Sequence, residues 1–572
     1  LVKAIKDSHK FVNFREFTPL QYQLFAKLPR EPIRYQPYSV ARRRPVTTSV
    51  ATNRSSLGTQ RQTDKELKIM LTENESKICD LLNEVVAYLK RNKPELPSIE
   101  LRIAGGWVRD KYLGHECNDL DVAINNMMGL EFCEKIGEYL RLKGLDVRNV
   151  HKIKLNPDKS KHLETAATII FGQEIDFANL RSEEYAEESR IPKTMFGTPE
   201  QDAYRRDLTI NSLFYNIHTR QIEDYTKKGI SDLKEGLIRT PLPAFETFME
   251  DPLRVLRCIR FASRFRFTIV EDILNAVKDE RLKEAFSKKI SRERIAIELD
   301  KMIKGPNPVM SIELIYDLGL YEAIFTPPSR EIYEGTMGYP GDTVKIAKIL
   351  EWLLSPTDKI SVHRELLPRN PEDLRSLYLA SVLIPYKDML HERSKNIIVQ
   401  YILKDNLKDA KLTNSLISTI NPLMELARKN AEFPLDRKSL GIFIRTVTGP
   451  HWINSFIITM AYELLPEFEN IKTESLYKVR QIIRKYNDLV DRIFDLGLQE
   501  CFKDKHILNG SQIMELLNIK GGEHMKEIMD FVIEWQLENP GGSVEQCQEF
   551  IKSRYDEIKD SPNNKTNRKT SS

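Results

Sequence analysis

The sequence predicts an α+β fold in which a small mixed β-sheet with helices is followed by a long all-helical region. Between residues 99 and 178, short β-rich runs alternate with turn residues, whereas beyond Pro243 apolar residues recur at helical spacing. The chain has 572 residues, of which 41% are hydrophobic and 30% are charged, so it is large and apolar enough for several folded domains.

The α/β region begins with a helix over residues 66–90, where leucines and isoleucines lie on one face until Pro94 and Pro97 stop the pattern. A second helix is predicted over 130–140, and a tight turn at Gly172-Gln173 joins the last two strands. The predicted strands occupy residues 99–104, 120–124, 167–171 and 174–178.

No strand signal is found beyond Pro243, where the clearest helical patterns cover residues 255–265, 290–303 and 310–320. Proline-containing breaks at 326–339 and 368–371 and a loop at 430–438 divide the helical region. The predicted divisions are a basic arm at 1–62, an α/β region at 63–240, helical regions at 241–325 and 326–560, and a disordered polar tail at 561–572.

The first 62 residues carry twelve Lys or Arg and three acids, whereas the rest of the chain carries 75 basic and 80 acidic residues. Arginines mixed with Ser and Thr over 41–54 are typical of an organelle transit peptide, and we favour that interpretation. A disordered arm for RNA contact or nuclear import is the alternative. No run approaches the roughly 20 apolar residues of a membrane-spanning helix, so we expect no membrane association.

The first predicted strand ends in a glycine turn, Gly105-Gly106, that opens a helix. Glycines let the backbone approach a ligand closely, and a helix start offers amide donors to an anion such as a triphosphate. Arg109 adds a mobile positive charge in this interpretation. A Gly-Gly turn alone is most often only a turn.

Asp119 and Asp121 flank Leu120 at the start of the second predicted strand. Side chains alternate along a strand, so both carboxylates face one way while Leu120 and Val122 enter the core. Their repulsion is relieved by a cation, and oxygen ligands of this kind suit Mg²⁺ shared with phosphates. We therefore expect a metal site at Asp119 and Asp121; a solvated acidic edge strand is the alternative.

A third carboxylate should come from the strand that begins at Glu174. Glu174 and Asp176 share a face, so the alternation does not choose between them. We prefer Asp176 because its context is more regularly apolar. Three acids and two metal ions can activate a hydroxyl and stabilise a leaving group.

Two later motifs could hold a nucleotide. Around a predicted helix start, Arg205 and Arg206 suit phosphate oxygens, and Asp207 and Asn211 suit ribose hydroxyls. Further on, Asp251 and Arg254 are predicted on one helical face, where an acceptor beside a donor fork can bind a base edge. An intrahelical ion pair is the commoner use of this spacing. Arginines at 254, 257 and 260 continue the helix.

Together these motifs, in this order, resemble the class II branch of the nucleotidyltransferase superfamily, and most closely eukaryotic CCA-adding enzymes. The resemblance runs from about residue 99 to 303. It implies a nucleotidyltransferase head, then a helical neck, body and tail. It also implies triphosphate contacts at the glycine turn and two Mg²⁺ ions at the paired acids. The implied nucleotide-binding residues are Gly105, Gly106, Arg109, Arg206, Asp207, Asn211, Asp251, Arg254, Arg257 and Arg260.

The resemblance implies template-independent addition of C, C and A to the 3′ end of tRNA, with CTP and ATP as substrates and pyrophosphate released. Asp119, Asp121 and Asp176 are the expected catalytic acids. We expect tRNA as partner, no DNA, and a mitochondrial location with cytoplasmic and nuclear pools. A poly(A) polymerase on the same head and a catalytically inactive RNA-binding factor are the alternatives.

Overall fold

The structure is a computed structural model. It describes residues 69–144, 151–152, 166–184, 193–327, 340–355, 361–387, 389, 398–408, 416, 419–420, 436–519 and 524–559. The predicted arm and tail, the break at 328–339 and most of the loop at 430–438 lie outside these residues. The chain divides into two compact units, one ending at Ser291 and the other beginning at Arg292.

The first unit is built on a mixed sheet of seven strands in the order β3-β4-β5-β2-β1-β8-β9. β2 and β5 pair in parallel, and the other pairs are antiparallel. Two further pairs, β6 with β7 and β10 with β11, lie outside this sheet. The strands are β1 Leu101–Ala104, β2 Leu120–Ile124, β3 His151–Lys152, β4 Ala166–Ile170, β5 Gln173–Asn179, β6 Arg181–Glu184, β7 Lys193–Phe196, β8 Phe214–Asn216, β9 Gln221–Glu223, β10 Leu237–Ile238 and β11 Thr268–Ile269.

Helices cover the sheet because their apolar faces need burial. Helix α1 starts with a capping box between Thr72 and Glu75. Phe132 on α3 packs against Phe177 on β5, with ring centroids 5.5 Å apart. The helices of this unit are α1 Glu73–Asn92, α2 Gly106–Tyr112, α3 Gly129–Leu142, α4 Pro199–Tyr204, α5 Gly229–Glu235, α6 Ala244–Glu250, α7 Leu253–Phe265, α8 Glu271–Val277 and α9 Glu280–Lys289.

The second unit is helical throughout its described residues, and its last helices bury their own apolar cluster around Trp535 and Ile551. No helix in the described part of the chain is both long and apolar enough to cross a membrane. The helices of the second unit are α10 Arg292–Ile303, α11 Pro308–Asp317, α12 Tyr321–Ile324, α13 Pro340–Leu354, α14 Pro371–Leu383, α15 Ile398–Tyr401, α16 Arg437–Ile442, α17 Trp452–Glu463, α18 Phe468–Lys472, α19 Tyr477–Asp495, α20 Gly510–Leu517, α21 His524–Glu538 and α22 Val544–Lys559.

The predicted α+β class is confirmed, and the four predicted strands appear with shifts of one or two residues. The claim that strands end before Pro243 is wrong, because β11 pairs with β10 through only two residues, too few to show alternation. The turn between β4 and β5 lies at Phe171 and Gly172, one residue earlier than predicted, with Phe171 at φ 48°. Helix α16 begins at Arg437, inside the predicted loop at 430–438.

Candidate active site

The glycine turn follows β1 directly. Gly105 has φ 66° and ψ −114°, a conformation that residues with a Cβ rarely adopt, and its N–H donates to the Leu213 carbonyl at 2.9 Å. A Cβ on Gly105 would lie 2.7 Å from Arg206 Nη1 and 3.3 Å from the Asn211 carbonyl oxygen. The turn therefore needs glycine here, and it brings the backbone against Arg206.

Arg109 is buried rather than mobile, which corrects the sequence-based expectation. Its Nε donates to Asp110 Oδ1 at 2.8 Å, and its Nη1 donates to Asn211 Oδ1. The guanidinium carbon lies 4.9 and 5.0 Å from the ring centroids of Phe261 and Phe265. Charge pairing and cation–π contacts thus hold the Arg109 side chain of α2 inside the protein against α7.

The strand alternation predicted for β2 is confirmed. Leu120 and Val122 are each 2% exposed, whereas Asp119 and Asp121 are exposed. The carboxyl of Asp121 still loses part of its water shell to the surrounding protein. This desolvation raises its pKa, the charge of Arg206 opposes the rise, and the charge of Asp119 adds to it.

Asp176 lies beside Asp121, because β2 and β5 run parallel with these two residues in register. Desolvation raises the pKa of the Asp176 carboxyl, and the negative charges of Asp121, Glu174 and Asp119 raise it further. Glu174 pairs with Ile169 on the neighbouring strand β4, and its side chain is exposed. The register therefore favours Asp176 over Glu174 as the neighbour of Asp121.

Asp119, Asp121 and Asp176 do not form a complete metal site by themselves. Among the residues that the structure describes, no three His, Cys, Asp or Glu side chains are grouped closely enough to hold a metal ion. Mg²⁺ is commonly held by one or two carboxylates together with substrate phosphates. Asp121 on β2 and Asp119 directly before the strand are both exposed, so they fit a partial ligand set of that kind.

Asp207 lies in the loop between α4 and a 3₁₀ turn at Thr209–Asn211, so the predicted helix start is only this short turn. Its carboxylate accepts hydrogen bonds from Asn211 Nδ2 at 3.0 Å and Arg257 Nε at 2.7 Å. Burial alone would raise the pKa of Asp207. The charge of Arg257 and the hydrogen bonds from Asn211 and Arg257 outweigh burial and lower the pKa to about 2.

Asp251 and Arg254 do not share a helix, which corrects that expectation. Asp251 ends α6 in an extended conformation, and α7 begins at Leu253. Arg254 is 7% exposed; its Nη1 lies 3.1 Å from Glu250 Oε2, and its Nη2 donates to the Arg205 carbonyl at 2.8 Å. An ion pair thus forms with Glu250, one turn earlier in the chain.

The other two predicted arginines of α7 point to the same region. Arg257 pairs with Asp207 at 2.6 Å, and the guanidinium carbon of Arg260 lies 4.2 Å from the ring centroid of Phe261. All the predicted nucleotide-binding residues therefore belong to the first unit, on the glycine turn, α2, the loop after α4, the end of α6 and α7.

Three acids that the sequence analysis did not single out, two of them buried, hold these arginines. Asp110 pairs with Arg109, Asp202 pairs with Arg205 and Arg206, and Glu250 pairs with Arg254. Asp202 is 1% exposed and Asp110 is 5% exposed. A charged residue that directly adjoins an arginine motif was the available signal, since such residues rarely become buried without a partner.

Two family models match parts of the chain. The family model described as "Poly A polymerase head domain" matches residues 101–239, and the one described as "Probable RNA and SrmB- binding site of polymerase A" matches residues 266–331. The first match ends one residue after the end of β10, so it contains the whole seven-stranded sheet.

Two curated relatives and one solved structure show how far the similarity extends. The "CCA tRNA nucleotidyltransferase, mitochondrial" of Saccharomyces cerevisiae is 39% identical over 521 residues, 85% of this chain and 94% of the relative. The protein of the same name from Candida glabrata is 38% identical, over 85% and 96%. The fold matches a Bacillus stearothermophilus CCA-adding enzyme in complex with CTP at a TM-score of 0.54 and 17% identity, over 85% of this chain and 100% of that one.

Proposed function

This chain belongs to the CCA tRNA nucleotidyltransferase family, and from that premise we propose that it adds C, C and A to the 3′ end of tRNA. CTP and ATP are the substrates, no nucleic-acid template is used, and pyrophosphate is released at each step. The observation that carries the proposal is the pair of exposed acids at the start of β2, Asp119 directly before the strand and Asp121 on it, with Asp176 in register beside Asp121.

The acids divide the chemistry between them. Asp119 and Asp121 would hold Mg²⁺, two ions in this proposal, which would lower the pKa of the attacking hydroxyl and neutralise charge on the phosphates. Asp176, whose pKa is raised, accepts the proton of the terminal ribose hydroxyl. The hydroxyl oxygen bonds to the α-phosphorus as the bond to pyrophosphate breaks.

The residues around the glycine turn would bind the incoming nucleotide. The backbone of Gly105 and Gly106 and the guanidinium of Arg206 suit the triphosphate. Asp207 and Asn211 suit the ribose hydroxyls. Because Arg109 is buried against Asn211, it contributes by holding that amide in place.

The base would be selected on the other side, at the start of α7. Asp251 and Arg254 offer an acceptor and a donor fork, although they lie in consecutive elements rather than on one helix. Arg257 and Arg260 supply further positive charge along α7. This protein surface would replace a template by hydrogen-bonding the edge of cytosine or adenine.

The helical remainder would grip tRNA, and no DNA substrate is expected. The curated relatives from Saccharomyces cerevisiae and Candida glabrata are named mitochondrial. Together with the arginine-rich, acid-poor composition of residues 1–62, these names support a mitochondrial location. Cytoplasmic and nuclear pools are part of the same proposal.

The test is incubation with a tRNA that lacks its last three nucleotides. CTP alone should add two residues, ATP alone should add essentially none, and both together should restore the complete end. Replacing Asp119 or Asp121 by Asn should abolish addition while circular dichroism and the melting temperature stay near the wild-type values, because both side chains are exposed.

Two outcomes would contradict this proposal. A long adenylate tail formed from ATP would favour a poly(A) polymerase on the same head. Substantial turnover by the Asp119→Asn and Asp121→Asn variants would remove the assignment of these carboxylates.

A further inference from the structure

A single buried carboxylate connects the two arginines of the loop after α4. Asp202 lies on α4 and is 1% exposed. Its Oδ1 accepts hydrogen bonds from Arg205 Nε at 2.9 Å and Nη2 at 2.6 Å, and also from the Arg181 backbone N–H at 3.2 Å. Its Oδ2 accepts from Arg206 Nε at 3.0 Å and lies 2.9 Å from Arg206 Nη2. Both carboxylate oxygens of Asp202 therefore accept hydrogen bonds from arginine.

These contacts fix the guanidinium of Arg206. Its other terminal nitrogen, Nη1, donates to the Asn211 carbonyl at 3.2 Å, and its central carbon lies 5.1 Å from the Phe214 ring centroid. The same Nη1 occupies the space that a Cβ on Gly105 would need. Arg206 is thus held against the glycine turn from several sides, and its side chain is still 21% exposed.

The group formed by Asp202, Arg205 and Arg206 carries a net positive charge. Burial alone would raise the pKa of Asp202, but the charges of Arg206 and Arg205 outweigh burial and lower it, so Asp202 is a carboxylate. One negative charge is shared by two guanidinium groups. A net positive charge therefore remains beside the turn, where it attracts an anion.

Asp202 is also connected, through Arg205, to Arg254, which is proposed to bind the base. Arg205, whose side chain is bound to Asp202, accepts a hydrogen bond from Arg254 Nη2 on its backbone carbonyl at 2.8 Å. A change at Asp202 that shifts the loop would therefore also shift the acceptor that orients Arg254.

We propose that Asp202 is a positioning residue for nucleotide binding, which holds Arg206 against the glycine turn and fixes the loop that orients Arg254. The inference rests on the proposed nucleotidyl transfer, since the ligand is the triphosphate of CTP or ATP. Asp202 itself does not contact the substrate. Its contribution is preorganisation, because an arginine already fixed by a two-point contact loses less conformational freedom on binding phosphate.

The experiment is a double-mutant cycle with Asp202→Asn and Arg206→Ala, measuring KM and kcat for CTP and ATP on trimmed tRNA. Asp202→Asn keeps the shape of the side chain but removes its charge. We expect KM to rise about tenfold, the size of one charge-assisted hydrogen bond, with kcat changed less. In the Arg206→Ala background the same change should raise KM by clearly less than tenfold, because the route through Arg206 is gone and only the route through Arg205 and Arg254 remains.

The control is Glu223→Gln. Glu223 on β9 pairs with the buried Arg102 at 2.6 Å, so this variant also removes a buried arginine–carboxylate pair from the first unit, but one whose partners are Arg102, Asn216 and Tyr225 rather than Arg205 and Arg206. It should lower the melting temperature and leave KM unchanged. A normal KM for Asp202→Asn, or an effect of full size in the Arg206→Ala background, would overturn the proposal.

A third variant keeps the test decisive if Asp202→Asn does not fold. Arg206→Lys retains the charge but cannot make the two-point contact, so it should raise KM to a similar extent while Asp202 stays paired with Arg205. An unchanged KM for Arg206→Lys would overturn the proposal equally. Failure of the wild-type chain and of Glu223→Gln to add any nucleotide would instead contradict the proposed function.

Discussion

Three arginines of the candidate site are each held by a buried carboxylate. Arg257 pairs with Asp207, Arg206 with Asp202 and Arg109 with Asp110. Removing one partner of a buried pair costs far more than the pair contributes over a neutral alternative, because a charge is left without compensation. The site is therefore organised before any nucleotide arrives.

Asp207 gives a pH prediction at this scale. Its pKa is lowered from the ordinary value of 3.8 to about 2 in the folded chain. The carboxylate thus contributes stability above about pH 4 that is lost as the pH falls through 2, and the shift corresponds to about 2 kcal/mol. The difference in unfolding free energy between wild type and Asp207→Asn, measured by urea denaturation, should shrink from pH 6 to pH 2.

Arg257→Gln is the companion variant for that measurement. It removes the charge that lowers the pKa of Asp207, so the acid-dependent part of the stability should disappear together with the ion pair. A stability difference that is the same at pH 2 and pH 6 would contradict the assignment of the shift to this pair.

The sequence predicted the acids of the site better than their partners. Asp119 and Asp121 could be found because strand alternation places their side chains from the sequence alone. The pairing of Arg257 with Asp207 joins residues fifty positions apart, and the burial of Arg109 depends on two rings of α7. Neither contact follows from local spacing, which is why Arg109 was expected to be mobile.

At the scale of elements, length decided what could be predicted. Strands β2, β4 and β5 have five to seven residues; β5 shows clear apolar alternation, and β2 and β4 are mostly apolar runs. The short strands β8 to β11 have two or three residues, and they form only because neighbouring elements supply their hydrogen-bonding partners. Asp251 was assigned to the wrong element because Pro252 is compatible with either a helix start or a break between helices.

The glycine turn gives a prediction for one element junction. Gly105→Ala would place a Cβ at a backbone conformation with φ 66° and 2.7 Å from Arg206 Nη1. Strain of this kind costs about 1 to 3 kcal/mol, so we expect a lower melting temperature and a higher KM for both nucleotides. Differential scanning fluorimetry and steady-state kinetics would measure these changes.

Gly106→Ala is the stability control for that variant. A Cβ on Gly106 would meet Arg109 Nη2 at 3.5 Å, an ordinary contact, and Gly106 lies inside α2, where Ala is a better helix former than Gly. Its melting temperature should equal or exceed that of the wild type. Equal losses in the two variants would refute the role of the turn conformation.

For the whole molecule, charge distribution sets the expectation for RNA binding. Beyond residue 62 the chain carries 75 basic and 80 acidic residues, so affinity for tRNA must come from local positive surface. Binding through phosphates weakens linearly with the logarithm of salt concentration. We expect a chain lacking residues 1–62 to keep the full-length affinity and salt slope in filter-binding measurements, because those residues are assigned to targeting. A shallower slope would support the alternative that they contact RNA.

The two aromatic rings that enclose Arg109 couple α2, which follows the glycine turn, to α7, which carries the arginine proposed to select the base. Because both rings hold the guanidinium in place, α2 and α7 should move together as one rigid body. The switch from CTP to ATP would then depend on movements of side chains at the surface of α7. The distance between the triphosphate site at the glycine turn and the base edge would stay constant.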